Sequence, residues 1–404
     1  MTPSPFDLNL RHLRAVSAIA AQRSMNAAAR AVSLSQPALT QGLAKLERQL
    51  GVTLFHRHAD GMTATAEGDR LAGRADAALA HLAAAARAIA RGGRGFARPD
   101  LLMTAAQTRA FVALADAGSF VGAATATGLS QPALHRAVRD LEQVSGTPLV
   151  ERRGRGVAIT PAGRRLARGI RLAAGEIAAG IAETRPDRGT RSGRLVIGAM
   201  PLCRALLLPA AIAELMREAP DAAIDVVEGS RRELIEPLRE GVIDLTIGAL
   251  RGTIAADLTQ RPLFSDQLVV VARAGHPLDR PTRPTRDDLA RYPWVIGRVG
   301  TPLRALWQAL FDGRALPPAP IECGSVMVIR GLLRDGDFLT LLSPDQVALE
   351  IESGMLAAID SPAELPGRLI GITTRADWRP TPLQARFLDL LNAERRLLGL
   401  QESE

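Results

Sequence analysis

Gln36, Thr40, Gln41 and Lys45 fall on one face of a predicted helix. Their amide, hydroxyl and ammonium groups are the types that hydrogen-bond base edges and phosphate oxygens. The helix is read from its other face, where Leu39, Leu43, Leu46 and Leu50 recur at i, i+4, i+7 and i+11. Ser35 suits its N-cap, and Pro37 suits its first turn, where a missing N–H costs nothing. The opening Ser35-Gln36-Pro37-Ala38-Leu39 returns unchanged as Ser130-Gln131-Pro132-Ala133-Leu134. This second copy keeps the apolar stripe at Leu134, Val138 and Leu141 and exposes Gln131, His135, Arg136 and Arg139.

The repetition extends beyond the helix. At an offset of 95, Ser24 meets Ser119, Glu47 meets Glu142, Gly51 meets Gly146 and Arg57 meets Arg152. Gly61 likewise meets Gly156, Thr65 meets Thr160 and Gly68 meets Gly163. A constant, gapless offset of this length indicates a duplicated domain.

Charge is divided unevenly along the 404 residues. Residues 1–194 hold 27 Lys+Arg against 14 Asp+Glu, and the remainder holds 23 against 28. A basic front beside a mildly acidic rear is the footprint of a polyanion-binding module joined to something else. Lys45 is the only lysine, so arginine abundance is read as compositional bias rather than as base readout. Two cysteines give no disulfide framework, and neither a paired-cysteine nor a clustered-histidine metal site is present in the sequence. No cofactor is expected. No run of eighteen apolar residues and no N-terminal signal pattern is found, so a cytoplasmic protein without a membrane partner is expected.

The elements that must position these side chains follow in order. A helix from about Leu10 to Gln22, a Ser24-capped alanine-rich helix to near Val32, a turn at Ser33-Leu34 and the Ser35 helix make a helix-turn-helix. Leu54 to Arg57 and Met62 to Thr65, joined through Asp60-Gly61, read as a two-stranded wing. The expected organisation is multidomain. Residues 1–68 form winged helix-turn-helix 1, 69–91 linker helix 1 and 92–100 a flexible connector. Residues 101–163 form winged helix-turn-helix 2, 164–184 linker helix 2 and 185–193 a hinge. The second wing carries Arg152, Arg153 and Arg155, the densest positive cluster of the chain, so the second unit is expected to hold phosphate more strongly.

From Arg194 the pattern alternates strand and helix, at Leu195–Gly198, Leu206–Glu218, Ala223–Val227, Arg231–Glu240 and Ile243–Gly248. This predicts a parallel α/β unit with ligands beyond the strand C-termini. Further strands at Leu268–Ala272, Trp294–Ile296 and Phe338–Leu342 suggest a second lobe, and Leu369–Thr373 returns the chain to the first. Residues 194–398 are therefore read as a two-lobed domain, lobe I about 194–266 and 365–398, lobe II about 267–364.

Residues 10–68 resemble the winged helix-turn-helix of LysR-type transcriptional regulators. The resemblance is carried by Ser24, Ala28-Ala29, Ser35-Gln36-Pro37-Ala38, Leu46-Glu47, Gly51, Leu54-Phe55, Arg57 and Thr65-Ala66-Glu67-Gly68. It implies that Gln36, Pro37, Thr40 and Gln41 enter the major groove and that Arg57 meets phosphate. The rear half is similar to the effector-binding domain of the same family, a fold like that of periplasmic binding proteins. Gly193 to Gly198, Leu207-Leu208-Pro209, Glu228-Gly229, Gly241-Val242-Ile243-Asp244 and Gly275-His276-Pro277-Leu278 carry that likeness. Pro262-Leu263-Phe264 and the Val-Ala-Arg before Gly275 are similar to the branch regulating sugar-binding proteins.

The family usually carries one winged unit; two units with two linker helices suggest a pseudo-dimer within one chain, the alternative being ordinary dimers with extra units on flanking DNA. The loop Met200, Pro201, Leu202 and Cys203, with Gly248 and, opposite, Thr301, Cys323, Gly324 and Ser325, is the expected effector site. Its few hydroxyls favour a less polar effector. Cys203 and Cys323 are read as small buried side chains in preference to a redox pair, and His276 as structural. The expected function is a DNA-binding regulator controlled by a small molecule, acting as a homodimer or homotetramer, with RNA polymerase a further partner. An architectural DNA-binder without effector control, and less readily an enzyme, are the alternatives. Gly92-Gly93-Arg94-Gly95 follows a helix rather than a strand, the wrong context for a phosphate loop.

Overall fold

The computed structural model describes residues 3–59, 61–90, 98–154, 156–185, 192–200, 207–250, 252–280, 282–360 and 367–397. Asn9 caps α1 (Leu10–Gln22), Ser24 caps α2 (Met25–Ala31) and Ser35 caps α3 (Gln36–Leu50), each through a side-chain oxygen accepting a backbone N–H. The wing follows as β1 (Phe55–His58) and β2 (Gly61–Ala64), antiparallel with Arg57 opposite Met62. The long helix α4 (Ala66–Ile89) begins three residues before the expected Asp69, because the Thr65 hydroxyl accepts the Gly68 N–H at 3.0 Å and sets the start.

After a short helix α5 (Pro99–Leu102) the same series of elements recurs. It comprises α6 (Ala105–Ala117), α7 (Phe120–Thr127), α8 (Gln131–Ser145), β3 (Val150–Arg153), β4 (Gly156–Ile159) and α9 (Pro161–Glu183). Here too the long helix starts ahead of the expected Arg164, with Thr160 accepting the Gly163 N–H at 3.0 Å. One buried apolar cluster runs from Leu8 to Ile181 and includes residues of both series.

α4 and α9 pack antiparallel. A Cβ at Gly180 would lie 2.9 Å from Leu71 Cδ1, and a Cβ at Gly169 only 2.3 Å from that of Ala85. Glycine at both places lets the two backbones approach. Buried between the helices, the Arg74 guanidinium donates from Nη1 to Glu176 at 3.1 Å and from Nε to Glu183 at 3.1 Å. Burial alone would lower the Arg74 pKa; the hydrogen bonds and charges of Glu183 and Glu176 outweigh it and hold the pKa above its ordinary value.

The rear unit has three sheets among the described residues. The first has the order β6-β5-β7-β14-β8, from β5 (Ser192–Ala199), β6 (Asp221–Glu228), β7 (Leu245–Ala249), β8 (Leu258–Asp266) and β14 (Arg368–Arg375). β5 and β7 are parallel, but β14 runs antiparallel to both β7 and β8, so the sheet is mixed rather than wholly parallel. The second lobe holds β9 (Val269–Arg273) between β12 (Thr340–Leu342) and β13 (Leu356–Ile359), all antiparallel. It also holds the parallel pair β10 (Val295–Ile296) and β11 (Ile321–Glu322). Trp294, Trp307 and Phe311 pack together at its core, with ring centroids 5.7 to 6.4 Å apart.

Candidate DNA and effector interfaces

α3 and α8 each bury their leucine stripe and turn a polar face to solvent. Gln36, Pro37, Thr40, Gln41 and Lys45 are exposed on α3, and Gln131, Pro132, His135, Arg136 and Arg139 on α8. An open depression of about 920 Å³ runs along α8, lined by Gln131, His135, Arg136, Arg139 and their neighbours. Among the described residues the guanidinium groups of Arg57, Arg136, Arg139, Arg152 and Arg153 make no protein hydrogen bond, so their donors are available to an outside acceptor. Arg155 lies outside the described residues.

Not every polar group on these faces is equally available. The Ser35 and Ser130 hydroxyls accept the Ala38 and Ala133 N–H groups at 3.4 and 3.3 Å, so they first serve as helix caps. Thr40 donates its hydroxyl to the Gln36 carbonyl at 3.0 Å, which leaves it an acceptor only. The His135 ring stacks on Phe120 with centroids 3.6 Å apart. The exposed His56 and His58 flank Arg57 on β1 and were not among the expected contacts. Their signal was the strand's exposed run, which the sequence reading resolved only as far as Arg57.

The repeated residues that are not on these faces hold the wings in place. Glu47 accepts the Leu54 N–H at 2.8 Å, and Glu142 accepts the Leu149 N–H at 2.8 Å, the same bond 95 residues on. A Cβ at Gly68 would lie 2.1 Å from the Leu54 carbonyl oxygen, and one at Gly163 2.2 Å from that of Leu149. Only glycine fits where the long helix crosses the end of the wing.

In the rear unit, loops leave the C-terminal ends of neighbouring parallel strands at two places, the arrangement that presents ligand sites in α/β folds. Met200 follows the end of β5, and Gly248 lies near the end of β7. Met200 is buried in the lobe core with Val196, Leu234 and Leu238, and its sulfur occupies the space a Gly248 side chain would need. Pro201, Leu202 and Cys203 lie outside the described residues. Beyond β10 and β11 stand Thr301 and Cys323 to Ser325; the Cys323 N–H donates to the Ile296 carbonyl at 2.9 Å and so continues the pairing of the two strands. Thr301 caps the helix Pro302–Leu310. The half-buried Cys323 thiol accepts the Ser325 N–H at 3.4 Å, and the exposed Ser325 hydroxyl makes no capping bond. Val299, Met327 and Val328 are exposed beside them, giving this rim an apolar character.

Two residues of the family resemblance prove to be structural. Asp244 accepts the Val196 N–H at 2.8 Å across β5 and β7; burial raises its pKa against that hydrogen bond. His276 is buried, accepts the Leu278 N–H on Nδ1 at 3.0 Å and is held below its ordinary pKa first by desolvation. No described helix is long and apolar enough to cross a membrane.

The family model "Bacterial regulatory helix-turn-helix protein, lysR family" matches residues 10–69 and, 95 residues on, 105–164. The model "LysR substrate binding domain" matches residues 188–396. The chain is 35% identical over 379 residues to the HTH-type transcriptional regulator GalR of Pseudomonas putida, covering 93% of this chain and 94% of that protein. Among solved structures, ArgP from Mycobacterium tuberculosis shares the fold with a TM-score of 0.58 at 20% identity, over 74% of this chain and 98% of that one. A full-length OxyR variant from Pseudomonas aeruginosa gives a TM-score of 0.55 at 24% identity, over 73% and 95%.

Proposed function

The chain belongs to the LysR family, and from that premise we infer how this DNA-binding, effector-controlled transcriptional regulator divides its work. Both element series are winged helix-turn-helix units that arose by duplication, and both read DNA. α3 presents Gln36, Gln41 and Lys45 to base edges and phosphate, and α8 presents Gln131, Arg136 and Arg139. Arg57 on the first wing and Arg152 and Arg153 on the second take flanking phosphates. The observation carrying this reading is the pair of outward polar faces, each backed by a buried leucine stripe, with arginine donors left unpaired.

The effector is a small molecule held by Pro201, Leu202 and Cys203 in one lobe and by Thr301 and Cys323 to Ser325 in the other, while Met200 and Gly248 pack in the core of the first lobe and shape it from within. The apolar rim of Val299 and Met327 favours a ligand with substantial hydrocarbon surface. Dimers or tetramers of the chain, RNA polymerase contact and a cytoplasmic location complete the proposal.

Nuclease footprinting on the protein's own upstream region tests it, with the unaltered protein beside Gln36→Ala and Arg136→Ala. Each substitution should erase a different part of one long footprint. Loss from Arg136→Ala alone would reduce the first unit to a structural partner, and no footprint at low salt would remove the DNA-reading assignment.

A further inference from the structure

α4 and α9 obey the same 95-residue offset in their contacts with each other. A Cβ at Gly180 would lie 3.2 Å from Arg74 Cβ; the offset image of that pair is Ala85 with Gly169, and it too is in contact. The Arg74–Glu176 hydrogen bond maps in the same way onto Gly169 and His81, where a Cβ would lie 3.1 Å from the His81 carbonyl oxygen. The helix pair therefore has an approximate two-fold axis.

The charges break that symmetry. On one side Arg74 lies between Glu176 and Glu183, with side-chain exposures of 7% for the arginine and 11% for each acid. At the offset image stand Gly169, His81 and Ala88, with no carboxylate among them. Pairing of like helices in the same geometry would be costly either way. Two copies of α4 would set each buried Arg74 against His81 and Ala88. Two copies of α9 would set Glu176 and Glu183 against Gly169, four carboxylates facing glycine where Arg74 stands in the native pair. A buried charge deprived of its partner is heavily penalised, whereas α4 against α9 supplies one cation to two acids.

We propose that the Arg74–Glu176–Glu183 cluster makes α4 select α9 and reject a second α4, so that each chain closes its own pair of winged units. Anchoring within the chain agrees with this. Arg11 of α1 donates to the Leu101 carbonyl at 2.7 Å, and Arg14 to the buried Asp100 at 3.0 Å, which ties the approach to the second unit onto the first. The inference goes beyond the DNA-reading proposal, and its test needs no DNA.

The full chain carrying Leu71→Cys and Gly180→Cys, in a Cys203→Ser, Cys323→Ser background, is oxidised mildly and run on a non-reducing denaturing gel. Shortening Leu71 removes the methyl that a Cβ at 180 would strike, so both cysteines sit where α4 and α9 meet. The expected product is a faster-moving monomer without free thiols, independent of concentration. A covalent dimer would overturn closure within the chain, and thiols that stay free would overturn the pairing. Adding Arg74→Glu gathers three carboxylates and should slow cross-linking about tenfold. Adding Glu176→Arg and Glu183→Arg to that variant should restore the rate to within about twofold. Equal rates with and without Arg74→Glu, or no restoration by the reversed cluster, would show that these charges do not select the partner.

Discussion

At the scale of the residue, the two proposed recognition faces differ in kind. α3 offers amides and one ammonium, whereas α8 and its wing offer several guanidiniums with no partner among the described residues. Phosphate contacts of that sort add affinity without sequence preference and release counterions when they form. Arg152→Ala and Arg57→Ala should therefore weaken binding to all sequences alike, each lowering the slope of log K against log salt by about 1. Gln36→Ala should leave the slope unchanged and relax preference at one or two base pairs. Fluorescence anisotropy over a salt series separates the two effects, and an unchanged slope for both arginine variants would remove the wings from the interface.

At the scale of the element, the first helix-turn-helix contains a titratable spacer that its twin lacks. The His12 ring lies against Gly42, where an added Cβ would come within 2.8 Å of a ring carbon. Burial first, and the nearby Lys45 second, hold its pKa below the ordinary 6.5. The unfolded chain then takes up a proton more readily than the folded one. Stability is accordingly complete above pH 6.5 and declines as pH falls through the folded value. The second unit has Gln107 at the corresponding place and no such dependence. Melting followed across this range should show a loss on the acid side that His12→Gln lessens, the buried His276 of the rear unit keeping its own share, and an identical acid profile for that variant would refute the role.

At the scale of the whole molecule, one buried apolar core continues through both winged units, and they should therefore unfold together. Gly169→Ala places a methyl 2.3 Å from the Ala85 Cβ, so the long helices must part. Overpacking of this kind costs about 1–3 kcal/mol. Because both series share the core, hydrogen-exchange protection should fall in α3 and α8 together. A fall confined to α8 would mean that the units unfold separately.

Much of this organisation was legible in the amino-acid sequence. The stripe of Leu39, Leu43, Leu46 and Leu50 determined α3 and its outward face, since helical spacing fixes which side chains share a side. The offset of Glu47 with Glu142 and of Gly68 with Gly163 announced a repeated unit, and each pair performs the same bond or close approach. Strand β8 is not legible in the sequence, because Pro262 and the charged Arg261 interrupt its pattern; it is tolerated at the sheet edge, where its own Leu263 is skipped in the pairing with Ile370 and Gly371 of β14. Met200 read as a loop residue, and only packing against Gly248 puts it in the core. The coupling of Arg74 with Glu176 and Glu183, 102 and 109 residues away, leaves no mark in the sequence. Periodicity records which side of its own helix a residue takes, while the partner of a buried charge is decided by which helices the tertiary fold brings together.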